Sequence, residues 1–228
     1  MNFFRQVFVI AVKDLRAEIR TKEAINASFA FALVILLLFS FAFDPEAETT
    51  REISGGLLWI VFAFAGTLVL NRSFARELPN DCLDALVAAP ISGAALYLGK
   101  AIANYVLVLA MELVSLPVFS IFNNVTRPVG QQIWPILLVM ALGTWGLTVI
   151  GTIFSALTVN IRLREVMLPM LTYPILVPAL MGAMLMTSSL VMGKPLAGDN
   201  LTWLKMLIGF DLIYTAASLA LVEIVLVG

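Results

Sequence analysis

Six stretches of this chain are each long and apolar enough to cross a bilayer, and this limits its fold more than any other feature. They run over about 26–43, 54–70, 94–119, 133–157, 166–192 and 206–227. A hydrocarbon core of ~30 Å takes ~20 apolar residues in a helix. The alternative, a membrane barrel, needs alternating apolar and polar residues. These runs are apolar on every side, so the expected fold is an all-α integral membrane protein. It has six transmembrane helices in a single transmembrane domain, 1–228. The bulk numbers agree: 61% of residues are hydrophobic, 13% are charged, and mean hydropathy is +1.00. Soluble domains are nearer 45–50% and 25%. A net charge of −1 gives no reason to expect a nucleic-acid partner.

The connections set a direction. Ten Lys and Arg residues fall on one side: Arg5, Lys13, Arg16, Arg20, Lys22, Arg72, Arg76, Lys100, Arg162 and Arg164. The other side holds four: Arg51, Arg127, Lys194 and Lys205. Cations stay in the cytoplasm, so both termini are expected there, in a multi-pass protein of the cytoplasmic (inner) membrane. Trp59, Trp134 and Trp203 fall near the expected outer ends, as an interfacial aromatic belt does. The charged start is not a cleavable signal peptide. One cysteine, Cys82, excludes an intrachain disulfide.

Before the first span, Phe4, Phe8, Ala11, Leu15 and Ile19 recur at helical spacing, widened by Val7 and Val12. Arg5, Lys13, Arg16, Glu18 and Arg20 lie mostly off that face. Residues 3–25 therefore read as an amphipathic helix in the cytoplasmic interface of the lipid bilayer.

The second connection, 71–93, is too long for a plain turn. Phe74 and Leu78 share a helical face, and Pro79 interrupts it. Asn80 is a suitable N-cap. Leu83, Leu86 and Val87 make the next apolar face, with Arg76 and Glu77 beside the first. A broken amphipathic stripe suits either a groove on a soluble partner or the membrane surface; the residues alone leave both open.

The run "NRSFARELPNDCLDALVAAPISGAALYLGKAIANY" resembles the segment after span two in the heme exporter protein B family of cytochrome c maturation. The features that carry it are Glu77, Asn80, Leu83, Leu86, Pro90, Gly99 and Lys100. The stretches "KDLRAEIRTKEAI" and "SALTVNIRLREVMLPMLTYPILVPAL" are similar to the family as well. The resemblance implies a permease subunit of an ABC exporter, with ATP hydrolysed on a separate cytoplasmic ABC ATPase. It implies that 71–93 is the coupling segment that docks this ATPase through Phe74, Arg76, Glu77, Leu78, Asn80, Leu83, Leu86 and Val87, with 160–165 as a lesser contact. It also implies haem as the substrate of the complex, and either a homodimer or pairing with another haem-handling membrane subunit. The chain has no G-x-x-x-x-G-K-[ST] loop, so it is not expected to be an enzyme. It has no histidine, so this chain itself is expected to bind no cofactor. An ABC-2-type permease for a lipid, glycan or drug is the alternative. An intramembrane enzyme needs a nucleophile and base, or paired acids, at one depth.

Inside the spans, Glu112 is the costly residue. It is either a site on a transport path or subunit contact, or a structural hydrogen bond between spans. Asp211 and Glu223 lie nearer the ends, and Glu112 and Asp211 are not expected to pair because their depths differ. Pro169, Pro174 and Pro178 are expected to break span five, either as irregular backbone that lines a cavity or as ordinary kinking packed against neighbours. Gly151 and Ser155 have the spacing that lets helices approach closely. Met181, Met184 and Met186 read as packing.

Overall fold

The computed structural model describes residues 2–44, 47–79, 82, 86 and 89–227, with side chains to 225. Among these, the long elements are all helices. An N-terminal helix, α1 (Phe3–Thr21), is followed by α2 (Glu23–Ala42), α3 (Glu48–Leu70) and a 3-10 turn (Ala75–Glu77). Then come α4 (Gly93–Phe122), the short α5 (Thr126–Gln131), α6 (Ile133–Thr158), α7 (Arg164–Val191) and α8 (Asp199–Val227). Six of these, α2, α3, α4, α6, α7 and α8, are long and apolar enough to cross a membrane.

Helix α3 starts about two turns before its apolar run. Glu48, Arg51 and Glu52 continue the helix beyond the hydrophobic stretch, where hydropathy carries no signal. Helices α3 and α6 form the interior, while α2 and α8 leave most of their surface outward. The main core joins all six, through residues such as Leu36, Phe62, Val108, Leu147, Leu176 and Phe210. Helix α3 packs mainly on α7, α6 on α7 and α8, and α1 on α4.

Two expectations are corrected here. Helix α7 runs unbroken through Pro169, Pro174 and Pro178. Each ring removes a backbone donor, but Pro174 and Pro178 sit on the exposed side and intrude on no neighbour. The opposite face, with Leu168, Thr172, Leu176, Ala179, Ala183 and Met186, is buried and holds the helix in place. Trp59 is not in an interfacial belt. It is fully buried, and its Nε1 donates to Thr187 Oγ1 at 2.9 Å.

Helix α1 packs on the bundle by a different side from its phenylalanines. Its buried stripe is Val7, Ile10, Ala11, Asp14 and Glu18. Phe4 and Phe8 are 81% and 68% exposed, and Ile19 also faces outward. The helix therefore has two functional sides. One packs on the bundle and carries two acids; the other keeps the large apolar groups free. Lys22 alone joins α1 to α2, in the left-handed conformation at φ 56°.

Candidate functional site: a charged junction at one end of the bundle

Residues 71–79 leave α3 and run between α1 and the start of α4. The centre of this junction is Lys100, whose side chain is entirely shielded from solvent. A buried ammonium is tolerated only when paired and hydrogen-bonded. Lys100 Nζ donates to Asp14 Oδ2 at 3.0 Å, to the Ser73 carbonyl at 2.9 Å and to Glu77 Oε1 at 3.1 Å. All three donors are thereby used. The Phe74 ring covers the group, with its centroid 5.0 Å from Nζ, a cation–π distance.

About one turn on from Asp14, Glu18 makes a second lock. Its Oε1 accepts from the backbone N–H groups of Ala24 and Ile25, at 2.8 and 3.0 Å, and so caps α2. Its Oε2 accepts from Arg76. Burial pushes the Glu18 carboxyl up, but the Ile25 N–H, the Arg76 guanidinium and the Ala24 N–H outweigh it and hold the group below its usual range. On the rim, Lys13 reaches Glu77 at 2.5 Å and Asp14 at 3.2 Å. Burial lowers the Lys13 pKa, and the two carboxylates more than reverse this, so it lies above the usual lysine range. Arg72 pairs with Glu23.

Neutral groups complete the junction. Asn104 Nδ2 donates to Ser73 Oγ and Thr152 Oγ1, both at 2.9 Å. Ser155 Oγ donates to the Leu70 carbonyl at 2.7 Å, beside the Ser73 N–H that donates to the same oxygen at 3.1 Å, and so ties α6 to the end of α3. Gly99 lets α1 lie directly on α4: a Cβ there would sit 2.9 Å from the Val7 carbonyl oxygen and 2.7 Å from Ile10 Cβ.

The residues expected to dock a partner divide. Phe74 is fully buried against Ala156 and Val159, so it belongs to the chain's own core. Glu77 and Arg76 point to cations and acids within the chain. Leu78 and Leu86 are half-buried, and Pro79 and Cys82 are exposed. Asn80, Leu83 and Val87 lie outside the described residues. Leu78 borders an open groove of about 530 Å³, whose other wall is residues 159–166. The connection after α6 thus lies next to the one after α3.

Asp14, Glu18, Lys100 and Asn104 were not identified from the sequence as site residues. Asp14 and Glu18 follow Val7, Ile10 and Ala11 at helical spacing. Acids that continue an apolar stripe were the available signal.

Within the spans, Glu112 is fully buried and its Oε2 accepts from Thr144 Oγ1 at 2.6 Å. Its Oε1 and both Asp211 carboxylate oxygens have no partner among the described residues. Asp211 lies against Gly146, where a Cβ would come within 2.8 Å of its Oδ1. Residues 144 and 146 differ by ~3 Å along the α6 axis, so depth does not separate the two acids. Direction does: the two positions point ~200° apart around the helix. Glu112 and Asp211 therefore flank α6 and do not face each other.

The family model described as CcmB protein matches residues 5–224, which takes in the junction, five of the long helices whole and α8 up to residue 224. The chain belongs to the CcmB protein family. Heme exporter protein B of Rhodobacter capsulatus is 33% identical over 168 residues, covering 74% of this chain and 76% of that protein. The Paracoccus denitrificans protein of that name is 30% identical over 75% of this chain and 77% of its own. That of Pseudomonas aeruginosa is 28% identical over 93% of each chain. Membership of the CcmB family and six apolar helices together make this a multi-pass membrane protein.

Proposed function

We propose that this chain is the membrane permease subunit of an ABC exporter serving cytochrome c maturation. The complex moves haem, or releases it at the outer membrane face, using ATP hydrolysed on a separate subunit. The carrying observation is the family match over residues 5–224, with relatives named heme exporter protein B over as much as 93% of both chains. The chain supplies no phosphate-binding loop, so the energy enters from a partner.

The ATPase docks at the junction end, which faces the cytoplasm, as do both termini, in the inner membrane. The docking surface is the part of 71–93 that keeps exposed surface: Pro79, with the half-buried Leu78 and Leu86, continued by the groove along 159–166. A helix or loop of the ATPase that enters this groove touches two connections at once. The outward faces of α2 and α8 provide surface for a second copy or for another haem-handling membrane subunit.

The test is co-purification. Leu86→Asp places a charge on the docking stripe, at a residue outside the hydrogen bonds and ion pairs described for the junction. Membrane insertion is expected to be intact and recovery of the ATPase subunit lost. Normal recovery overturns the docking surface. Lipid without porphyrin in the intact complex points instead to a different substrate.

A further inference from the structure

We propose that Lys100 pins α1, the 72–78 segment and α4 into one rigid lever. The stroke delivered to the coupling segment then reaches α2 and α4 directly, rather than passing up α3 alone. This rests on the docking reading above.

The segment after α3 is not a slack loop. Lys100 holds it from the α4 side, through the Ser73 carbonyl and Glu77. The same ammonium holds α1 through Asp14. Lys13 ties α1 to Glu77 independently, and Arg76 ties the segment to Glu18. Glu18 in turn caps α2. Three segments distant in sequence therefore meet through three cations, Lys13, Arg76 and Lys100, and three acids, Asp14, Glu18 and Glu77. The charges balance. Removing one partner strands a buried charge, so the pieces cannot separate cheaply.

The 3-10 turn Ala75–Glu77 lies between the two locks, and Leu78 of the docking stripe follows it at once. Force applied to that stripe is one residue from Glu77 and two from Arg76. Through these it reaches α4 at Lys100 and the start of α2 at Glu18. Lys100 is wholly enclosed and acts through Asp14, the Ser73 carbonyl and Glu77, so it is a positioning residue.

Two measurements test this. The first uses the purified chain in lipid nanodiscs, by hydrogen–deuterium exchange on Lys100→Met and on the milder Asp14→Asn. Backbone protection is expected to fall together in 3–21 and 72–78, by about tenfold or more, the scale set by losing hydrogen bonds to a charged group. Residues 133–158 are expected to keep theirs. Loss confined to one of the two segments, or no loss, overturns the lever. The second uses the full complex with its ATPase, reading haem delivered per ATP hydrolysed. Both variants are expected to retain the ATPase and its hydrolysis while that ratio falls by about tenfold or more, in line with the same lost interactions. An unchanged ratio overturns the proposal. A wild-type chain that fails to retain the ATPase defeats the docking reading instead, and the exchange measurement still decides the lever.

Discussion

The indole of Trp59 occupies the space beside Gly143: a Cβ on residue 143 would meet Trp59 Cη2 at 2.2 Å. Helices α3 and α6 are therefore keyed together by a large side chain and an absent one. Gly143→Ala is expected to destabilise the bundle by ~1–3 kcal/mol, the usual result of overpacking a filled core. Thermal unfolding in detergent checks this, and Gly143→Ala with Trp59→Phe is expected to recover part of the loss. An unchanged midpoint for the single variant rules out a rigid key.

Thr144 gives Glu112 its one hydrogen bond among the described residues. Thr144→Val keeps the shape and strips the bond. The expected cost is ~1–3 kcal/mol, that of leaving a buried polar group unpaired. Glu112→Gln is expected to slow transport more than Glu223→Gln, because residue 223 is exposed near the end of α8. Equal, mild effects in a transport assay reduce Glu112 to a structural tie.

The Glu18 carboxyl is held below its usual 4.5 by Ile25, Arg76 and Ala24, against the effect of burial. A depressed acid contributes stability fully above its unfolded value and loses it as pH falls through the folded one. Wild-type stability is thus expected to drop as pH goes from 4.5 downward, with Arg76 released. Glu18→Gln is expected to be less stable at neutral pH and flatter across that window. Melting curves from pH 3 to 7 decide it; parallel curves for the two proteins defeat the assignment.

Ser155→Ala removes the hydroxyl that ties α6 to the Leu70 carbonyl, which keeps only the Ser73 N–H. The expected loss is ~1 kcal/mol or somewhat more, seen as a lower melting temperature and faster amide exchange in 71–74.

The six long helices were legible because a bilayer imposes length and hydropathy on each one separately. The N-terminal helix was legible for the same local reason, but the face it packs was not. Phe4, Phe8 and Ile19 carry its largest apolar groups, and they face outward. Asp14 packs inward because its partner is Lys100, 86 residues away. No periodicity within α1 reports such a partner. The enclosure of Lys100 was illegible for the same reason. As a cation at the start of a span it helped set the orientation, while in the fold it is wholly enclosed. The prolines of α7 failed as break signals because their effect depends on the side they face. Pro174 and Pro178 face away from the neighbouring helices.

Glu18 has a consequence for how the chain is made. Its cap on α2 needs only residues 18–25, so the bend at Lys22 can set as soon as the first hydrophobic helix leaves the ribosome. The cations that complete the junction emerge later, Arg76 after α3 and Lys100 at the start of α4. Until then Asp14 and Glu18 remain hydrated and α1 is free to rest on the membrane by its outward phenylalanines. The ion pair that docks α1 on α4 thus cannot form before residue 100 has been made.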